Sequence, residues 1–232
     1  MKKLIVFSGA GVSAESGLKT FRDSGGLWEE YNIMDVATPE AWNKNPRLVL
    51  EFYNKRRYQI INTQPNDAHY VIAELEKDFD VQVITQNIDD LHERAGSKNV
   101  LHLHGEITKS RSTNGSAEKY IITSNEIKFG DLCPNGYQLR PDVVWFGEEV
   151  PNIHVAEKII SQSDFLIVVG TSLNVYPAAG LVFAAPTNNP KYIVDPNSLP
   201  AFGLENIFHI KEKATIGMPI IAQKLKNLLL NA

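Results

Sequence analysis

The 232-residue sequence predicts an α/β protein built on a parallel, doubly wound sheet. Three observations carry that prediction. Short apolar runs such as Leu4–Phe7, Val81–Ile84 and Phe165–Val169 read as buried strands. Stretches with helix signals separate them. Polar, glycine-rich clusters follow the runs, at the strand ends where sheets of this kind bind ligands.

In chain order, Leu4–Phe7 opens the sheet and Ser8, Gly9, Ala10 and Gly11 break it. Small residues there let the backbone turn tightly and let its N–H groups approach a ligand. Ser13 to Ser16 read as a helix start, which with the glycine turn suits an anion such as phosphate. Taken alone, Gly-Ala-Gly is equally a plain strand–helix turn, and its spacing is not that of the dehydrogenase fingerprint. Residues 23–62 form a small helical excursion: Asp23–Gly26 is a loop, Thr38 caps a helix entered through Pro39, and Pro46 begins a second helix running past Arg57.

Residues 66–76 return as a helix and Val81–Ile84 as a strand, followed by a short helix at Leu91–Ala95 stopped by Gly96 and a strand over Val100–Leu103. Residues 107–139 are the least regular part and read as a second inserted module, with a short strand near Tyr120–Ile122. Asp142–Phe146 returns to an apolar strand. A helix over Val155–Ser163, strands at Phe165–Val169, Tyr192–Asp195 and Ile207–Ile210, and an amphipathic helix over Met218–Leu230 complete the chain. The larger part therefore takes in about 1–22, 63–106 and 140–232, and the smaller about 23–62 and 107–139, with no linker between separate domains.

Hydrophobic residues at 43% and charged residues at 22% are ordinary for a globular chain. The formal net charge of -4 argues against nucleic acid as the main partner. The single cysteine, Cys133, excludes a disulfide within the chain and a cysteine-based zinc site. No apolar run has the length of a membrane helix, and the first strand begins almost at Met1, leaving no room for a signal peptide. The expected compartment is the cytoplasm.

Five polar clusters fall at strand ends: Ser8–Gly11, Thr85–Asp89, His104-Gly105, Gly147-Glu148 and Gly170–Ser172. Together they predict one ligand cleft. The segments GAGVSAESGLKTFR, TQNIDDLHERAG, LHLHGE, RPDVVWFGE and GTSLNVYPAA resemble, in order and from Leu4 to about Met218, the motif series of the sirtuins, the NAD-dependent protein deacylases. The resemblance implies a Rossmann-like parallel sheet with a smaller two-part module, and NAD meeting an acyl-lysine peptide in the cleft between them.

By that resemblance Gly9, Ala10 and Gly11 belong to the pyrophosphate turn, Glu15 to the cofactor-binding residues, and Phe21 and Arg22 to a cofactor loop. Gln86, Asn87 and Asp89 match the ribose and nicotinamide contacts, with Asn87 also catalytic. Gly170, Thr171, Ser172, Asp195 and Ala214 (with Thr215) fall on the adenosine side. Asp195 stands where the family more often has Asn. His104 matches the general base, a role suited to a group that titrates near neutrality. His102, two residues earlier on the strand, faces the other way and reads as structural, while His69, His92, His154 and His209 read as ordinary polar residues. Val144, Trp145, Phe146, Gly147 and Glu148 resemble the strand that receives substrate as an added strand, with Asn174 and Val175 near the peptide; the other reading is a plain core strand, and both can hold.

Two departures refine the resemblance. Tyr53 and Arg56 share a helix face and resemble the subset of sirtuins that removes succinyl and malonyl groups. An Arg fork and a Tyr hydroxyl suit a distal carboxylate; the other reading is a solvated basic face. Ala37 fits the same subset by leaving room for a longer acyl group. The family's two C-x-x-C pairs are reduced to Cys133, with Ser112 near the first, so no zinc is predicted. The expected function is NAD-dependent deacylation of acyl-lysine proteins, releasing nicotinamide and O-acyl-ADP-ribose. The alternatives are NAD cleavage or ADP-ribosyl transfer on the same scaffold, and a non-catalytic NAD or ADP-ribose binding module.

Overall fold

The computed structural model describes residues 1–19, 31–197 and 203–230. Strand β1, Lys3–Ser8, is buried on both faces after its first residue, so it takes a continuous apolar run rather than an alternating one. It pairs in parallel with β2, Asp80–Thr85, on one side and with Phe165–Val169 on the other. The sheet has six parallel strands in the order β3-β2-β1-β7-β8-β9, where β3 is Val100–His102, β7 is Phe165–Val169, β8 is Lys191–Val194 and β9 is Ile207–Ile210. The chain moves outward from β1 in one direction, then returns to build β7 to β9 in the other. That reversal puts the switch point, and the natural ligand crevice, between the C-terminal ends of β1 and β7. The Rossmann-like sheet is as expected.

Alternate residues of the central strands feed two cores. Leu4, Val6, Val83 and Ile167 pack under Ile72 of helix α5, Asp67–Glu74, and Ile221 of helix α8, Ala214–Leu230. Ile5, Phe7, Ile84 and Val168 pack against Ile160 of helix α7, Ile153–Ile160, and a 3-10 segment at Ala178–Ala184. A third core fills the smaller module. There Val36, Val49, Phe52 and Tyr53 meet Leu18, Ile107, Val143 and Trp145. Its helices are α2, Ile33–Val36, α3, Pro39–Lys44, and α4, Pro46–Ile61. Thr38 Oγ1 accepts from Ala41 N at 3.0 Å and Asn45 Oδ1 from Leu48 N at 3.2 Å, so each of the two longer helices has an N-cap followed by Pro at the first position.

Four details differ from the sequence reading. Helix α1 is a single turn, Gly11–Ala14, starting two residues earlier than expected and leaving little macrodipole. Residues 107–139 are more ordered than their scattered polar pattern suggests: strand β4, Gly105–Ser112, pairs antiparallel with β5, Lys119–Ile121, and β6, Leu139–Val143, in a separate sheet. The apolar run expected over 142–146 is therefore the end of β6 plus a loop. Gly105 decides this, because at φ +83° any Cβ would overlap the Asp142 carbonyl. The last helix begins at Ala214, four residues before the expected start, and carries Pro219 inside it at the loss of one ladder hydrogen bond.

Candidate active site

The two turns at the switch point are locked together. Gly9 N donates to Val169 O at 3.0 Å and Gly11 N to Gly170 O at 2.8 Å, so two amides of the Gly-Ala-Gly turn are spent on the β7 turn. A Cβ on Gly11 would stand 2.8 Å from Gly170 Cα. Small residues at these positions thus serve the close approach of two strand ends, leaving Ala10 at the mouth.

Below that turn lies a buried polar network. Asn87 Nδ2 donates to Ser13 Oγ at 3.1 Å, and Ser13 Oγ donates to Asp89 Oδ2 at 3.1 Å. Asp89 Oδ1 accepts from Leu91 N at 3.3 Å. Burial holds the Asp89 carboxyl above the usual range, opposed by these donors and by the charges of His102 and Arg56. Gln86 Nε2 reaches Thr171 Oγ1 at 3.1 Å, joining the β2 end to the β7 end. Amide, carboxylate and hydroxyl groups here match what ribose hydroxyls and a carboxamide require, so the donor set fits a nicotinamide dinucleotide.

His104 follows β3 at the same edge. Its Nδ1–H donates to Gln86 O at 2.9 Å, which fixes the tautomer and leaves the Nε2 lone pair as acceptor. Burial depresses its pKa, with the Gln86 carbonyl opposing, so the ring is neutral at pH 7. His102 points away, between Asn87 O at 2.9 Å and Glu93 Oε1 at 2.8 Å. Burial disfavours its charge, but those acceptors outweigh that and raise its pKa.

His69 and His92 are not the ordinary polar residues expected. They are 0% and 1% exposed, with ring centroids 4.9 Å apart beneath the site. His69 Nδ1 accepts from Asn66 N at 3.3 Å in a capping box, so Nε2–H turns to Ser13 Oγ at 3.4 Å. His92 Nε2 meets Ser8 Oγ at 2.9 Å, Ser8 donates to Thr85 Oγ1 at 2.9 Å, and Thr85 Oγ1 accepts from Asn87 N at 3.0 Å. Burial drives both rings neutral, His69 to a pKa of about 4. The cue was present: His69 stands at the N3 position after Asn66, where a side chain answers the cap.

Other predicted residues take varied places. Glu15 accepts from Thr215 N at 3.0 Å and Thr215 Oγ1 at 2.9 Å, tying the glycine turn to the start of α8, while Ala214 is buried in the adjoining core. Asp195, buried at the end of β8, accepts from Asn197 N at 2.8 Å. Ser172 is half-buried, and Val175 and Phe146 are about half exposed on segments that flank the cleft. Val144 N donates to His104 O at 2.9 Å and Phe146 N to Ala37 O at 3.0 Å, so this segment bridges the His104 edge and the helical part. Gly147 has φ +91° in open space. Tyr53 is 2% exposed against Trp145, and burial pushes its phenol pKa up, keeping the hydroxyl protonated. Arg56 donates to Lys19 O at 3.2 Å and feels the Asp89 charge. Phe21 and Arg22 lie outside the described residues.

A sheet of this order, with small-residue turns at its switch point and a titratable polar cluster beside them, defines a dinucleotide-binding α/β protein. The known proteins it resembles are more specific. The model of the Sir2 family matches residues 9–177. A Helicobacter pylori protein named NAD-dependent protein deacylase is 50% identical over 225 residues, covering 97% of this chain and 96% of its own. One of the same name from Bacteroides thetaiotaomicron is 46% identical over 237 residues, covering all of both. A solved Sir2 homologue in complex with NAD is 38% identical at a TM-score of 0.88, covering 98% of this chain and 91% of that one. The chain belongs to the Sir2 family.

Proposed function

We propose that this protein is an NAD-dependent protein-lysine deacylase that prefers acyl groups ending in a carboxylate, succinyl and malonyl, and also accepts acetyl. The observation that carries the deacylase reading is His104: neutral, with its tautomer fixed by Gln86 O at 2.9 Å and its Nε2 left as an acceptor. The relatives' shared name supports it. For the acidic-acyl preference the support is the pair on α4. Tyr53 contributes a hydroxyl that burial keeps protonated, and Arg56 a guanidinium that donates to Lys19 O at 3.2 Å and feels the Asp89 charge.

NAD, when bound, supplies an electrophilic ribose carbon and accepts the acyl group. This chain's residues do the rest. The Gly9–Gly11 turn holds the pyrophosphate side. Gly170, Thr171, Ser172, Asp195 and Ala214 hold the adenosine side, and Gln86, Asn87 and Asp89 orient the ribose and carboxamide. Phe21 and Arg22 exclude water. Val144, Phe146, Gly147 and Val175 receive the peptide, and Arg56 with Tyr53 holds the distal carboxylate. His104 Nε2 takes a hydroxyl proton, a step worth about 10²–10⁴-fold in enzymes generally. The smaller module is metal-free in this reading, since one thiolate cannot hold tetrahedral zinc; Cys133 Sγ instead lies 3.4 Å from Ser112 Oγ.

The test is nicotinamide release from NAD with matched succinyl-lysine and acetyl-lysine peptides, for wild type and Arg56→Met. The expected result is a succinyl preference that the substitution abolishes while acetyl turnover persists. Equal turnover of both peptides in both proteins would make Arg56 a surface charge. Release that ignores peptide would favour NAD cleavage.

A further inference from the structure

Glu148 stands two residues after Phe146, in no catalytic contact, yet one of its oxygens gathers three donors. Oε2 accepts from Arg140 at 2.8 Å, from Arg111 at 2.9 Å and from the Trp145 backbone N–H at 2.8 Å. Arg140 comes from β6 and Arg111 from β4, so two neighbouring strands of the second sheet converge on this carboxylate. Arg140 is itself 7% exposed and lies 3.6 Å over the Trp145 ring. Trp145 is thus held twice, by its backbone through Glu148 and by its face through Arg140. Its neighbours Val144 and Phe146 are pinned to His104 O and Ala37 O. The geometry is that of a clamp closing on residues 144–148 from three directions. A charge-assisted hydrogen bond is roughly twice as strong as a neutral one, and three on one oxygen fix a loop that otherwise bears a left-handed Gly147.

We infer that Glu148 is a positioning residue for the acyl-lysine peptide: with Arg140 and Arg111 it holds the 144–147 segment, whose end is a turn closed by Glu148 N donating to Trp145 O at 3.0 Å, in the form that meets the incoming strand. The inference rests on the reading of that segment as the peptide's pairing edge. In the same role it couples the second sheet to substrate, so that the module governs peptide affinity without touching the reacting atoms.

The experiment is steady-state kinetics of Glu148→Gln with acyl-lysine peptide and NAD varied separately, alongside thermal melts. Gln keeps the shape and removes the charge. The expected result is a KM for peptide raised about tenfold, since a charged hydrogen-bond set is weakened, with kcat at saturating peptide and the KM for NAD within about twofold of wild type. Arg111→Gln, at the more exposed arm, gives a smaller rise in the same parameter and serves if Glu148→Gln folds poorly. Glu148→Asp, keeping the charge, restores part of the affinity. Equal losses in kcat and in both KM values would mean a merely structural role and overturn the inference. Gly147→Ala separates the two layers, because it strains the loop backbone and leaves the clamp intact. If it raises the peptide KM while Glu148→Gln does not, the clamp idea falls and the pairing edge stands. If neither moves the peptide KM, both fall.

Discussion

At His104 the Nδ1–H is committed to the Gln86 carbonyl, so the ring can act only through Nε2. Burial holds its pKa below the ordinary histidine value near 6.5, which makes the base form available through the neutral range. Deacylation kcat/KM is therefore expected to rise with pH along an acid limb whose midpoint lies below about 6.5, then level off. A limb centred near pH 8 would mean another group controls the step. His104→Ala should lower kcat by about 10²–10⁴-fold with little change in the KM for peptide, measured by nicotinamide release. At this scale the sequence was informative where a residue's role follows from type and place. Gln86, Asn87, Asp89 and His104 all lie just past the ends of β2 and β3, and the structure brings them to one edge. In the sequence His69 and His92 read wrongly as ordinary polar residues, and Ser13 only as a helix start: the cap position of His69 was legible, but burial beneath a site depends on helices that fold back from far along the chain.

The strands and helices depend on local caps and on a few buried polar anchors. Lys191 opens β8 only 2% exposed, and its ammonium donates to the carbonyls of Pro186, Thr187 and Asn189 at 2.9, 3.0 and 3.0 Å and to Glu205 O at 3.3 Å. One cation thus organises the approach to β8 and the approach to β9. Lys191→Met would leave those carbonyls without their donor, and each buried orphan costs about 1–3 kcal/mol. Some will find water, so a net loss of about 3 kcal/mol is expected in urea denaturation, with β8 and its terminal Asp195 losing order first. A loss under about 0.5 kcal/mol would mean solvent replaces the ammonium freely. The sequence could not announce this lysine, since its spacing matches any exposed cation. The parallel strands were legible because burial on both faces writes itself as an unbroken apolar run. Strand β4 was not, because its residues alternate charged and small, and only pairing with β5 and β6 gives them a partner.

Across the whole molecule, the buried histidines tie stability to pH. Unfolded histidine titrates near 6.5, whereas His69 in the fold titrates only near pH 4 and His92 lies well below its usual value. Between those values the unfolded chain binds more protons than the folded one, so acid favours unfolding. For His69 alone the gap corresponds to about 3 kcal/mol, fully present above pH 6.5 and lost on the way to pH 4. His92 adds in the same direction. His102 opposes: its raised pKa contributes stability that is present below the unfolded value and lost as pH climbs through the folded one. The Glu93 carboxylate that pairs with His102 has a lowered pKa, and its own stability is lost only in more acid solution, below the ordinary Glu value near 4.3. Three depressed rings, His69, His92 and His104, outweigh the paired His102 and the raised Asp89 carboxyl, so the unfolding free energy should fall by about 2 kcal/mol between pH 7 and pH 5. The measurement is urea denaturation across that interval for wild type and His92→Gln, which cannot take up the proton and should flatten the slope. A wild-type free energy that stays level from pH 7 to pH 5 would mean that the polar network admits a charge, and that its neutral tautomers do not hold Asn87 and Asp89 in place.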